Sequence, residues 1–423
     1  MNHNNNFLNK ICRKIFQNLP PLDDTAVHTS IELVNEICSK LEKLPNNPKI
    51  IDPACGRGTF LVWMYEFLFN HYYSNIYDIE EKNYYCISAL YGCEINKVIA
   101  QVTIKVLKQV QKYYGVKKII EPNIYVCDFL EKEFIMKFDV ALGNPPYHEL
   151  DKNGRPKGGG KGGCNNLWSK FFIKSKEIAD NVLFIHPPSF LSPNHIVKQK
   201  MFEDGGLKFM KIFEKSPFDG VGTQACYYYW SKNYNGLCQI GNKSINLNMK
   251  ILPNSSNPLD FAIFNKFFKN ENSFKFKSNS NLHKTNKKHL LNDSMMREFK
   301  FKTYHGSKIV FSSICTELYD KTKVIVSDSG YLNPILDINC NTTQHSFYFL
   351  IENESEGENL VNILKSNLYD YCLTRSKFSG FFNGEVLKNI PKIDLTKVWT
   401  NKEIYEYFNL SEEEIEHIEK NVK

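Results

Sequence analysis

"FDVALGNPPYHEL", residues 138–150, sets two prolines and a tyrosine directly behind an apolar run that ends at Gly143 and Asn144. Proline lacks the N–H that a ladder needs and fixes its own φ, so a strand Phe138–Leu142 has to stop there. Beyond the strand the chain becomes a stiffened wall with an aromatic ring on it. A rigid turn accounts for the prolines alone. A surface shaped to hold something flat accounts for the prolines, the amide and the ring together.

The flanking sequence alternates short apolar strands with helices. "KIIDPACGRGTFLVWMYEFLF" (49–69) reads as strand, glycine-containing turn and helix. "YYCISALYGCEINKVIAQVTIKVLKQV" (84–110) repeats that grammar, with a strand ending near Cys93 and a helix after Asn96. "NIYVCDFLE" (123–131) is a further strand and loop, and a helix is expected around Leu167–Ala179. "NVLFIHPPSFL" (181–191) and "GTQACYYYWSKNYNG" (222–236) supply a buried strand and a late aromatic one. Upstream, Ile31, Leu33, Val34, Ile37 and Leu41 mark the apolar face of another helix. The alternation predicts an α/β fold with a parallel sheet and helices on both faces.

The 423 residues suffice for two or three domains. Hydrophobic and charged contents of 42% and 23% are those of an ordinary globular chain, and a net charge of +7 permits an anionic partner. None of the twelve cysteines forms a CxxC pair, and none lies in zinc-finger spacing with histidine. They read as reduced, buried small hydrophobes, and no metal is expected. No stretch is apolar enough to span a bilayer, and "MNHNNNFLNKICRKIF" (1–16) reads as an amphipathic helix rather than a signal peptide. The expectation is a cytoplasmic protein, or one acting where its host's DNA lies. Composition shifts near Gly241: residues 241–330 carry fifteen Lys and Arg against seven Asp and Glu, and the strand–helix rhythm is lost. The expected division is a helical extension over 1–24, a catalytic domain over 25–240 and a second domain over 241–423 that opens with this basic stretch. The latter ends in an acidic helical region, where Ser411 and Glu414 fit a capping box.

Three acids fall at successive strand ends, where open α/β sheets bind ligands. Asp52 opens a loop whose small residues Ala54, Gly56 and Gly58 allow a ligand close to the backbone. The loop lacks the third glycine of GxGxxG and the GKS or GKT of a Walker A loop, which disfavours pyrophosphate. Glu94 is placed to accept from two ribose hydroxyls, Asp128 from an adenine amine, and Asp52 suits the charged tail of the same ligand. Each acid alone is equally well read as a helix cap.

In this order the motifs resemble those of S-adenosylmethionine-dependent DNA adenine-N6 methyltransferases, over roughly residues 25–235. "HTSIELV" is similar to the upstream cofactor motif, with Thr29 at its threonine and Ser30 where proline is usual. "DPACGRGTF" resembles the cofactor loop, "GCEI" the ribose-binding acid with Ile95 beside it, and "CDFL" the adenine-binding acid with Phe129 beside it. "NPPY" resembles the catalytic signature; "LWSKFFIKS" and "VLFIHPPSFL" resemble the next two motifs. The resemblance implies a Rossmann-like methyltransferase sheet and a smaller mixed C-terminal target recognition domain. It also implies the cofactor S-adenosylmethionine, and double-stranded DNA as partner in a restriction-modification or viral system. A monomer is expected, and a separately encoded restriction endonuclease is a possible companion.

The chemistry suits the residues. The N6 lone pair of adenine is delocalised into the ring. The Asn144 side-chain oxygen and the Pro145 carbonyl would accept its two N–H bonds and leave the nitrogen aimed at the methyl group, with Pro146 stiffening the turn and Tyr147 stacked on the purine. A duplex adenine has to be flipped out to reach such a pocket. The resemblance places a second stacking aromatic on the late strand, with Trp230 favoured over Tyr228. The loop "ELDKNGRPKGGGKGGCNNLW" (149–168) carries Arg155, Lys157 and Lys161 for the DNA backbone. In the second domain, Lys284, Lys287, Arg375 and Lys377 are candidate DNA contacts, with Asn383 nearby. RNA adenine and a protein glutamine amide remain alternative substrates for the same chemistry, and cytosine-N4 a further one. A non-catalytic DNA-binding protein would leave Glu94, Asp128 and NPPY without a shared purpose.

Overall fold

The computed structural model describes residues 29–149, 166–269, 271–279, 281–282, 288–378 and 381–422. They form two compact units. The first runs to Asn246, and the second takes Leu247 onward together with Leu191–Pro193, so the division falls after Asn246 rather than near Gly241.

The first unit is built on a nine-stranded sheet. Its strands are β1 (Ile50–Asp52), β2 (Leu90–Glu94), β3 (Asn123–Val126), β4 (Phe138–Gly143), β5 (Ala179–His186), β6 (Gly205–Ile212), β7 (Cys226–Lys232), β8 (Cys238–Ile240) and β9 (Lys243–Ile245). The spatial order is β3-β2-β1-β4-β5-β7-β6-β8-β9. From β3 to β5 all pairings are parallel, and β7 lies antiparallel between β5 and β6. The order reverses direction between β1 and β4, the crevice where doubly wound sheets bind ligands.

Helices cover both faces. On one lie α1 (Ile31–Cys38), α2 (Thr59–Phe67), α3 (Ile79–Ala89) and α4 (Lys97–Tyr113). Their apolar sides share a cluster with Val140, Leu142, Leu183, Ile185, Tyr227 and Tyr229 of the sheet. Strand residues alternate between faces, so Tyr228 and Trp230 point the other way. There α5 (Leu167–Ile178) sets Phe172 against both rings, and α6 (Ile196–Glu203) offers the Met201 carbonyl to the Trp230 indole. Side chains close the helix starts: Ser30 accepts from Leu33 N–H at 3.2 Å, Asp78 from Glu81 N–H at 2.8 Å and Asn96 from Val98 N–H at 2.9 Å.

The second unit holds two four-stranded sheets. One contains β10 (Lys277–Ser278), β14 (Lys323–Ser327), β15 (Ile335–Asp337) and β17 (Ser346–Leu350). The other contains β11 (Leu291–Asn292), β12 (Phe301–His305), β13 (Lys308–Ser312) and β16 (Asn341–Thr342). Helices α7 (Pro258–Phe267), α8 (Glu354–Lys365), α9 (Asn367–Arg375), α10 (Gly384–Lys388), α11 (Asn401–Tyr407) and α12 (Glu412–Asn421) contribute to its separate core. Capping boxes start both of the last two helices, Thr400 with Glu403 and Ser411 with Glu414. No described helix is long and apolar enough to cross a membrane.

Candidate active site

Four neighbouring strands deliver polar groups to one edge of the first unit's sheet. Asp128 comes just after β3, Glu94 ends β2, Asp52 ends β1 and Asn144 comes just after β4. The loop after β1 is held open by backbone geometry. Cys55 N–H donates to Cys93 O at 2.9 Å and Gly58 N–H to Cys55 O at 2.7 Å. Gly58, at φ +86°, caps α2, and a Cβ there would lie 2.7 Å from the Thr103 methyl. The Thr103 hydroxyl donates to Gly56 O. Thr103 therefore props the loop from beneath, a role the sequence hid because a buried helical threonine looks like core. Gly56 has open space where its Cβ would stand.

Glu94 is tied at both oxygens, accepting from Gly56 N–H at 3.1 Å and from Asn96 N–H at 2.8 Å. Burial pushes its carboxyl above the usual range, and the N–H groups of Asn96, Gly56 and Ile95 partly counter this. A carboxylate oxygen has two lone pairs, so each keeps one for a hydroxyl. Ile95 is 71% exposed beside it, an apolar surface next to a polar anchor. Asp128 is exposed and accepts from Leu130 N–H at 2.8 Å. The Phe129 ring is buried between Phe134 and Phe171, so only its backbone is available to a ligand.

Asp52 is 1% exposed and accepts from Ala54 N–H at 3.1 Å. Burial pushes its carboxyl up to about 8; the Ala54 N–H pulls it down and the charge of Glu94 adds to the rise. Such a group ionises most readily when a cation arrives beside it. Across the switch point Gly143, at φ +149°, meets it closely: a Cβ there would lie 2.6 Å from Asp52 Oδ1.

Asn144 Nδ2 donates to Thr29 Oγ1 at 3.2 Å. Its Oδ1 is buried and has no partner among the described residues. Thr29, itself 6% exposed, thus sets the amide with its acceptor unspent. Pro145 is buried and Pro146 exposed. The Tyr147 ring packs on the large cluster of the first unit, and its buried hydroxyl also lacks a partner among the described residues.

Trp230 corrects the expectation of a second stacking ring. It is fully buried, its ring meets Phe172 and its N–H donates to Met201 O at 2.7 Å. Tyr228, fully buried as well, is 2.7 Å from His186 Nε2. The His186 Nδ1 faces the Pro187 carbonyl at 3.0 Å and so carries the proton, which makes Tyr228 the donor. Both rings are committed to the interior. Phe213 and Phe218, in the connection between β6 and β7, belong to the same cluster as Tyr147. Phe213 is half-buried, whereas Phe218 is 6% exposed.

Arg155, Lys157, Lys161, Lys284 and Lys287 lie outside the described residues, as does the extension 1–24. Arg375 lies over the Tyr371 ring and donates to Asn421 Oδ1 at 3.1 Å, while Lys377 donates to Gly330 O. Asn383 caps α10 by accepting from Glu385 N–H at 2.8 Å. No group of three or more metal-ligating side chains occurs among the described residues.

Residues 68–218 match the family model of the Eco57I restriction-modification methylases. The methylase subunit of a type I restriction enzyme from Methanocaldococcus jannaschii is 28% identical over 124 residues, 29% of this chain and 18% of that protein. An uncharacterised adenine-specific methylase from Mycoplasma pneumoniae is 28% identical over 118 residues, 26% of this chain and 27% of its own length. The chain thus matches less than a fifth of the first relative and little more than a quarter of the second. Among solved structures, the type ISP restriction-modification enzyme LlaGI is similar in fold, with a TM-score of 0.54, 12% identity and coverage of 87% of this chain and 45% of that one. The type ISP enzyme LlaBIII gives 0.51, 13%, 91% and 37%.

Proposed function

We propose that this chain, whose residues 68–218 fall within the Eco57I restriction-modification methylase family, methylates the N6 amine of adenine in double-stranded DNA. The observation that carries the reading is the buried, unspent Oδ1 of Asn144, fixed by Thr29 beside the acid-lined edge.

The edge suits S-adenosylmethionine. Glu94 keeps two lone pairs for the ribose, Ile95 offers an apolar face for the purine, and Asp128 accepts from its amine. Asp52 ionises against the cationic tail, and the open space at Gly56 lets the ligand approach the backbone. When bound, the cofactor supplies an electrophilic methyl group on a sulfonium.

The protein's part is orientation. Asn144 Oδ1 and the Pro145 carbonyl accept the two N6–H bonds, which turns the nitrogen lone pair out of conjugation. The Asn144 acceptor is already oriented and unspent without substrate, so little reorganisation of it is needed at the moment of reaction. Tyr147 stacks on one face of the flipped base, and the half-buried Phe213 of the same cluster is the aromatic proposed for the other. Flipping costs about a few kcal/mol, which stacking and the two hydrogen bonds offset. The second unit, whose basic excess lies in residues 247–330, reads the target sequence, and the partner is duplex DNA, with a separately encoded nuclease completing a restriction-modification pair. A monomer acting in the cytoplasm is proposed with this reading.

The test is transfer of a labelled methyl group from S-adenosylmethionine to mixed-sequence duplex DNA, RNA or a translation release factor. N6-methyladenine in digested DNA, absent with Asn144→Ala, is the expected result. Labelling of RNA or protein alone would keep the chemistry and replace the substrate.

A further inference from the structure

One polar cluster in the second unit has chemistry that its fold does not require. Asp328 lies just after β14 and His345 just before β17. His345 Nδ1 lies 2.8 Å from Asp328 Oδ2. A carboxylate only accepts, so Nδ1 carries a proton, and in the neutral tautomer this leaves Nε2 as an acceptor. The His345 side chain is 36% exposed and that of Asp328 13%. Asp328 Oδ1 is buried without a partner among the described residues. Its backbone is pinned as well, with Asp328 N–H donating to His345 O at 3.2 Å and Phe382 N–H donating to Asp328 O at 2.6 Å.

Two flat side chains stand beside this imidazole. His305, held by Thr343 Oγ1 at 2.9 Å, stands edge-on to it at 5.2 Å. Phe381, 54% exposed, lies 6.0 Å away and inclined by 35°. A latch between strands would be redundant here, because β14 and β17 already pair in continuous register from Lys323↔Leu350 to Ser327↔Ser346. An oriented acceptor beside an exposed aromatic ring is better matched to the edge of a flat, amine-bearing ring. In the major groove, only adenine and cytosine present such an amine.

We propose that His345, oriented by Asp328, reads one base of the DNA target by accepting from its exocyclic amine through Nε2, with Phe381 beside the contact. The assignment rests on the reading of the protein as a DNA adenine methyltransferase. It makes His345 a specificity-determining residue and Asp328 the residue that positions it.

The test is methylation of unmodified genomic DNA, with N6-methyladenine mapped by sequencing. Wild-type protein is expected to mark one motif. His345→Ala should relax a single motif position, with on the order of tenfold loss of preference there, and leave S-adenosylmethionine affinity unchanged. Asp328→Asn should relax the same position. Should His345→Ala fail to fold, His345→Gln, which offers both a donor and an acceptor, should change the preferred base at that position. An unchanged motif in the active, folded variants overturns the proposal and leaves the methyltransferase reading intact. A wild-type protein that binds S-adenosylmethionine yet methylates no DNA removes that reading, and this proposal with it.

Discussion

Thr29 accepts the Asn144 side-chain N–H at 3.2 Å, and this one contact decides which end of the amide faces the site. The two residues are 115 positions apart, joined only because α1 returns to the end of β4. Without the hydroxyl the amide is free to turn and present a donor where the reaction needs an acceptor. Thr29→Val should lower kcat about tenfold, corresponding to one hydrogen bond of about 1–1.5 kcal/mol, with cofactor affinity little changed. Thr29→Ser should restore it. Single-turnover kinetics alongside cofactor titration separates the two effects.

Gly143 should tolerate no side chain. A Cβ would lie 2.6 Å from a carboxylate oxygen of Asp52, on a backbone at φ +149° that L residues rarely adopt. Gly143→Ala is expected to cost about 1–3 kcal/mol of stability and to weaken S-adenosylmethionine binding. Chemical denaturation and calorimetric titration measure the two losses. Normal affinity in a variant of normal stability would contradict the contact.

Two buried carboxyls give the protein a pH dependence of defined sign. Burial pushes Asp52 up to about 8, and does the same to Glu66, which is 1% exposed with neither oxygen partnered among the described residues. Their folded-state values exceed the unfolded ones, so each holds its proton longer in the folded chain. Stability should therefore fall as pH rises from about 4.5 to about 8. Glu66→Gln should flatten part of that slope, by about 2–4 kcal/mol at the alkaline end. Denaturation midpoints across the range test it. Asp52 also faces the ligand, and a cation bound there displaces its proton. Cofactor affinity should rise with pH up to about 8, with proton release on binding that Asp52→Asn abolishes. Titration in buffers of different ionisation enthalpy counts that proton.

Trp230 should matter for folding and not for the flipped base. Trp230→Phe loses the bond to Met201 O and part of the packing against Phe172. A loss of about 1–3 kcal/mol in stability is expected, with kcat/KM on DNA within about twofold of wild type at low temperature. Phe213→Ala should show the reverse: near-normal stability and a raised KM for DNA. Base-analogue fluorescence at the target adenine would register the lost stacking.

Much of the first unit was legible from local chemistry. Apolar runs closed by Asp52, Glu94 and Asn144 read as strands ending in polar groups, and the alternation with amphipathic helices implied the parallel sheet. The capping box at Ser411 and Glu414 was legible for the same reason, since both partners lie within one turn. "CYYYWSK" was not. Six consecutive residues of β7 are buried and the four rings among them lie on both faces, so no two-residue period marks which face meets a ligand. The change of unit was visible in composition but fell after Asn246, because β8 and β9 still pair into the first sheet.

The groups and their order are read straight from the chain: small residues for a close ligand approach, acids at strand ends, and an amide stiffened by two prolines. Those depend on residue type and near neighbours, which the chain states directly. Tertiary structure alone decided that Thr29 orients Asn144, that Asp52 presses on Gly143, that Thr103 props the Gly56 loop, and that Trp230 is spent on the core. Each is a contact between segments brought together by strand order and by the face on which a side chain emerges. A shift of one residue in register would reverse that face, and the sequence of β7, apolar on both sides, carries no signal of it.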